Sequence, residues 1–224
     1  MEIVPNVHFI PSGFVNCYLG IDPEGVTLID TGLSRNASAV LKYMAGLGRR
    51  PSDLKHIIIT HSDGDHVGAL ADLKIASQAR VYASPIEAQA IEAAHPSRDL
   101  KMQGMTAHLF KLVQLLFKAK PAKVNELLSD GQILPVLGGL QVVYTIGHTP
   151  GHISLYAPAL KILFSGDSIV AERNGTLRCS RGMNTWDEAK AQEAVKIQAA
   201  LGAEIVCPGH GPVVREANGK FPIV

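Results

Sequence analysis

The chain has 224 residues, 46% of them apolar and 18% charged, which is enough for a sizeable core and too apolar for disorder. Lysine and arginine total 21 and aspartate and glutamate 20, and the net charge of +1 excludes a protein that coats nucleic acid, because phosphate binding needs a basic surplus. Nine histidines are the compositional oddity, since imidazole is costly to bury and titrates near neutral pH.

In chain order, 15–19 and 26–30 read as paired strands joined by the turn Asp22-Pro23-Glu24-Gly25. Ser34 is expected to cap a helix over about 35–46. The β-branched run 57–60 predicts a buried strand, followed by a helix over about 66–77. A short strand at 80–83 precedes a helix at 85–94 with Pro85 in its first turn. Segment 98–123 differs in character. It carries Arg98, Lys101, Lys111, Lys118, Lys120 and Lys123 against Asp99 alone. Its Met105, Leu109, Leu112, Val113, Leu116 and Phe117 fall at helical spacing. Strands are then expected at 140–146, 153–157, 162–165 and 204–206, with a helix over 187–201. No linker interrupts the pattern, so one domain spanning 1–224 is expected, with a helical insert at about 98–123.

Cys17, Cys179 and Cys207 are odd in number and form no C-x-x-C pair, which suits reduced thiols. No leader pattern opens the chain, and no run of about 18 apolar residues exists. A cytoplasmic protein without stable membrane insertion is expected.

His61-Ser62-Asp63-Gly64-Asp65-His66 follows directly on the strand at 57–60. Four potential metal ligands in six residues on a strand-to-helix loop are hard to attribute to turn propensity, and imidazole with carboxylate suits Zn²⁺, Fe²⁺ or Mn²⁺. His148, Asp167 and His210 have the same placement: each follows a strand and has glycine neighbours. Sheets gather strand ends on one edge, so the four loops can converge.

With Asp30 in Leu28-Ile29-Asp30-Thr31-Gly32, the His61–His66 motif, His148, Asp167 and His210 in order, the chain resembles the metallo-β-lactamase-fold proteins nearly end to end. That resemblance implies an α/β fold, a four-layer αβ/βα sandwich with a two-metal site on one edge. It implies His61, Asp63 and His148 on one divalent ion, Asp65, His66 and His210 on the other, Asp167 bridging, and Asp30 behind them. Zn²⁺ is the first expectation. The implied function is hydrolysis, in which a metal-bridging hydroxide attacks an ester, lactone, thioester or phosphodiester, with Asp65 or Asp167 steering the proton. His152 either orients its loop or lines the cleft. His8, His56, His95 and His108 have no role and are expected at the surface or at helix ends.

The chain departs from the family motif H-x-H-x-D-H by placing Asp63 at the third position. Asp63 either coordinates or stands behind the ligands through a water. With two divalent ions, three carboxylates and a hydroxide, the set becomes neutral, which favours a more basic hydroxide and widens the metal choice to Mn²⁺ or Fe²⁺. The same carboxylate keeps open an iron-dependent redox enzyme, like a persulfide dioxygenase or a flavodiiron protein. The expected partner is a small-molecule substrate with an apolar portion. The 98–123 helix serves as its wall, with Arg173, Arg178 or Arg181 near an anionic part, or else as a core or homodimer contact.

Overall fold

A computed structural model of the chain describes residues 1–98 and 119–224. The first sheet contains β1 (Glu2–Val4), β2 (Val7–Ser12), β3 (Val15–Asp22), β4 (Gly25–Ile29), β5 (Leu54–Ile58), β6 (Arg80–Ala83) and β7 (Glu126–Leu127), paired in that order. Its first half is a meander, and β4 to β7 run parallel. The helices between them are α1 (Ala37–Gly46), α2 (Gly64–Val67), α3 (Leu70–Ser77) and α4 (Pro85–Ala93).

The second sheet is built from β8 (Ile133–Leu134), β9 (Leu140–Tyr144), β10 (Ile153–Ala157), β11 (Ile162–Gly166), β14 (Ile205–Pro208) and β15 (Val214–Arg215), in the order β15-β14-β11-β10-β9-β8. A separate hairpin pairs β12 (Ile169–Ala171) with β13 (Leu177–Cys179), and α5 (Glu188–Ala199) precedes β14.

Alternation along the strands sorts the side chains into layers. Ile153, Leu155, Ile162, Phe164 and Cys207 of the second sheet meet Tyr18, Ile29 and Ile58 of the first in one core. Val26, Leu28, Leu54 and Ile57 face outward beneath Val40, Met44, Leu70 and Leu73 of the helices. Val143, Leu163 and Val206 face outward beneath Ala191 and Val195 of α5. Two sheets face to face with helices on both outer surfaces form the expected αβ/βα sandwich.

β9 and β11 are each antiparallel to β10, and β11 is parallel to β14, so all three end on the same edge. The parallel strands of the first sheet deliver their ends there as well. Backbone bonds join the sheets at this edge, from Ile153 N to the Thr60 carbonyl (3.0 Å) and from Asn16 N to the Gly209 carbonyl (2.8 Å).

Some local expectations change. Ser34 makes no cap bond and lies in a 3-10 turn over Ser34–Asn36 that leads into α1. The helix expected over 66–77 is split. The His66 carbonyl accepts from both the amide and the hydroxyl of Thr31, at 2.8 Å each, which occupies the acceptor a continuing helix would need. Gly68 sits at the break, where a Cβ would collide with the backbone of Leu33 and Ser34. Ser84 and Asp187 do cap α4 and α5, accepting from the amides of Glu87 and Lys190. Residues 99–118 of the helical insert expected at about 98–123, and with them its proposed roles, lie outside the described residues. Among the described residues no helix is long and apolar enough to cross a membrane.

Candidate metal centre

All seven expected ligands meet on the shared edge. Among the described residues, groups of donors within 4.8 Å of one another comprise His61, Asp63 and His148; Asp65, His66 and His210; and His61, His66 and Asp167. Asp167 reaches both sides. Its Oδ1 lies 3.3 Å from His66 Nε2, and its Oδ2 lies 3.2 Å from His210 Nε2, 3.6 Å from His148 Nε2 and 4.0 Å from His61 Nε2. Asp63 Oδ2 lies 3.2 Å from His148 Nε2 and 3.6 Å from His61 Nε2, and Asp65 Oδ2 lies 3.4 Å from His210 Nε2. Donors around a tetrahedral zinc with bonds of about 2.0–2.2 Å stand roughly 3.3–3.6 Å apart.

Each histidine is held through its other nitrogen, which fixes the ring and leaves Nε2 for the cluster. His61 Nδ1 meets Thr60 Oγ1 at 3.0 Å, and His66 Nδ1 meets Asp30 Oδ2 at 2.9 Å. His148 Nδ1 meets Ser180 Oγ at 2.8 Å, and His210 Nδ1–H donates to the Phe14 carbonyl at 2.8 Å. Asp30 is itself fixed by the amide and hydroxyl of Thr60, so it stands behind His66 as expected. His61 Nε2, His66 Nε2 and Asp167 Oδ1 are buried and have no hydrogen-bond partner among the described residues. Buried polar atoms without partners are costly. Here they converge on common points, which is the requirement of a cation. The donor chemistry and the unpartnered atoms therefore fit divalent metal.

The electrostatics point the same way. Burial works to raise the Asp167 carboxyl, but His66 and His210 hold it well below the usual carboxylate range. Burial likewise works against the His66 imidazolium, yet Asp167, Asp30 and Asp65 push its pKa well up. His210 is raised to about 10 against its own burial by Asp167 and Asp65. The site is strongly anionic and attracts protons where cations would bind.

His152 orients its surroundings and does not line a cleft. It is fully buried, its Nδ1 meets Thr145 Oγ1 at 2.8 Å, and its Nε2 accepts from the Asp167 amide at 3.0 Å. Burial, with His61 and His148 nearby, keeps it neutral. Gly209 lets its loop approach the centre, because a Cβ there would meet Asp167 Oδ1 and His66. His8 is buried, not superficial, and its ring meets Tyr43 edge-on. The three cysteines are free, and burial raises the thiol pKa of each, that of Cys17 to about 12, so none has the lowered pKa of an activated thiol.

Two residues at the site escaped the sequence reading. Glu87, fully buried on α4, accepts from the Ser62 and Gly151 amides and from the Thr149 and Ser97 hydroxyls. It ties the His61–His66 loop to the loop carrying His148. Its place three residues after the capping Ser84 disguises it as ordinary helix-start chemistry. Arg98, read only as part of a basic segment, is 8% exposed and grips Asp63 with both terminal nitrogens, Nη1 to Oδ1 at 2.7 Å and Nη2 to Oδ2 at 2.8 Å. Arg178, by contrast, pairs on the surface with Glu172.

The comparisons with known proteins agree. The family described as Metallo-beta-lactamase superfamily matches residues 10–210. The probable metallo-hydrolase YflN of Bacillus subtilis is 27% identical over 94% of this chain and 85% of its own length. The atrochrysone carboxyl ACP thioesterase of Aspergillus fumigatus is 24% identical over 88% of this chain and 37% of its own length. The crystal structure of the metallo-beta-lactamase family protein TTHA1429 from Thermus thermophilus superposes with a TM-score of 0.75 at 22% identity, covering 98% of this chain and 78% of the other, which shows the shared fold. The chain belongs to the metallo-beta-lactamase superfamily and is an enzyme of hydrolase type.

Proposed function

We propose that the protein is a dinuclear metal-dependent hydrolase of a small ester, lactone, thioester or phosphodiester with an apolar portion. The observation that carries the reading is Asp167, whose two oxygens face donors of both groups. His61, Asp63 and His148 would hold one ion, and Asp65, His66 and His210 the other. Zinc suits this set first, with manganese or iron as alternatives. When bound, such ions supply Lewis acidity and a water acidic enough to be hydroxide near neutral pH.

The chain's own residues supply the rest. The Nδ1 partners keep four imidazoles aimed, so little reorganisation is needed during reaction. The Asp65 side chain is 21% exposed against 10% for Asp167. Asp65 is therefore better placed to pass a proton to a leaving group. Phe14, 55% exposed, stacks on the His210 ring with centroids 5.7 Å apart. Met183, 60% exposed, lines a surface hollow with Trp186, whose amide donates to the His148 carbonyl. Both offer apolar surface beside the centre. The similarity to a thioesterase supports an acyl substrate.

Protein purified without chelator and reconstituted separately with zinc, manganese and iron should hydrolyse at least one acyl class in a panel of esters, lactones, thioesters and phosphodiesters. Chelation should abolish that turnover. Oxygen consumption with glutathione persulfide and iron, with no hydrolysis in the panel, would establish the redox reading instead.

A further inference from the structure

The Asp63–Arg98 pair sits where the sequence departs from the family motif. Asp63 occupies the N-cap position of α2, yet its carboxylate makes no cap bond. It is turned to Arg98, and the Arg98 side chain is only 3% exposed. A guanidinium fork on a carboxylate fixes the plane and rotation of that carboxylate as well as its charge. Oδ2, the oxygen taken by Nη2, is the one that faces His61 Nε2 and His148 Nε2. Arg98 is in turn anchored. Its Nη2 also donates to the Asn184 carbonyl at 2.9 Å and lies 3.4 Å from His148 Nε2. The neighbouring Ser97 amide donates to Ser62 Oγ and its hydroxyl to Glu87. A fork this buried and this engaged is poorly suited to capture substrate.

We propose that Arg98 is a positioning residue that acts through Asp63, fixing the oxygen that faces the ion His61 and His148 would hold and offsetting its charge, so that the two side chains together serve as one neutral ligand in the place where the family motif has histidine. The proposal rests on the dinuclear reading. It changes the charge at the site. The carboxylate at position 63 does not by itself make the centre neutral, because a guanidinium is in contact with it. The preference for softer or harder metals should then resemble that of a site with histidine at position 63.

The test counts and titrates metal, independently of turnover. Zinc stoichiometry by native mass spectrometry and affinity by chelator competition are compared for wild type, Asp63→His, Asp63→His/Arg98→Met, Arg98→Lys and Arg98→Met. Wild type should hold two ions. Asp63→His leaves the Arg98 charge unpaired beside a neutral ligand, and its second ion should bind roughly 10–100-fold more weakly. Removing that charge in Asp63→His/Arg98→Met should bring affinity back to within about threefold of wild type. Arg98→Lys keeps charge without the fork and should fall between. If Asp63→His fails to fold by near-UV circular dichroism, the lysine variant carries the test, and unchanged affinity in it overturns the proposal. Undiminished affinity in a folded Asp63→His, or no recovery in the double variant, also overturns it. One ion in wild type and two in Arg98→Met would overturn it differently, by making Arg98 a tethered substitute for a cation. One ion with or without Arg98 would overturn the dinuclear reading and the proposal with it.

Discussion

The two halves of the centre are built from opposite materials. Around Asp65, His66 and His210 the supports are an acid and a carbonyl: Asp30 behind His66, and the Phe14 oxygen behind His210. These raise the basicity of the rings they touch. Around His61, Asp63 and His148 the supports are hydroxyls and a cation: Thr60, Ser180 and Arg98. Burial there lowers the His148 pKa even with Asp63 beside it, whereas His66 and His210 are raised. One half attracts positive charge strongly, and the other is partly compensated before any ion arrives. The lesson is that the two groups of donors need not hold ions equally, and under the proposed dinuclear reading the half containing Arg98 should be the weaker.

The largest effect should come from the residue both halves share. Asp167→Ala should lose both ions and reduce turnover on any substrate at least about a thousandfold, checked by metal analysis and kinetics together. Next is Glu87→Ala, which strips four donors of a buried acceptor and should cost about 3 kcal/mol or more in urea unfolding. Its damage should fall on the Ser62 and Thr149–Gly151 loops, and hence on the half containing Arg98. Asp30→Asn should act mainly on the other half, weakening that binding step roughly 10–100-fold in chelator competition, and should weaken the step at His61, which Asp30 reaches only through Thr60, by less. Preserved affinity at both steps would remove the asymmetry. A further effect is in pH. The folded pKa of His210 is raised to about 10 from 6.5 by Asp167 and Asp65, although burial opposes it. Its contribution to the stability of ion-free protein is therefore complete below pH 6.5 and is lost as pH rises toward about 10. The Tm of chelated protein should fall over that range, while that of loaded protein should hold, because ions replace the protons.

Much of this was readable in the chain because the candidate ligands sit at strand ends and announce themselves in short glycine-rich runs. His61 to His66, His148, Asp167 and His210 needed only a sheet to bring them together, and the alternating strands around 153–157 and 162–165 supplied it. What stayed hidden depends on contacts between distant segments. Arg98 meets Asp63 across 35 residues, and Glu87 meets Thr149 across 62. Neither carries a local pattern that distinguishes it from a surface arginine or a helix-start glutamate. The break between α2 and α3 was hidden for the same reason, because Thr31 captures the carbonyl that would have continued the helix. The edge hairpins β1–β2 and β12–β13 are short and lacked a strong alternating signal. His152 was legible as a neighbour of the site, and its hold on the Asp167 amide only emerged in three dimensions.

The most direct test of the central claim is the number of zinc ions held by the wild-type protein as zinc is titrated in, read by native mass spectrometry. Two ions should load in two separable steps, the first tighter than the second. A single ion at saturation, or two ions loading with indistinguishable affinity, would contradict a shared centre with unequal halves.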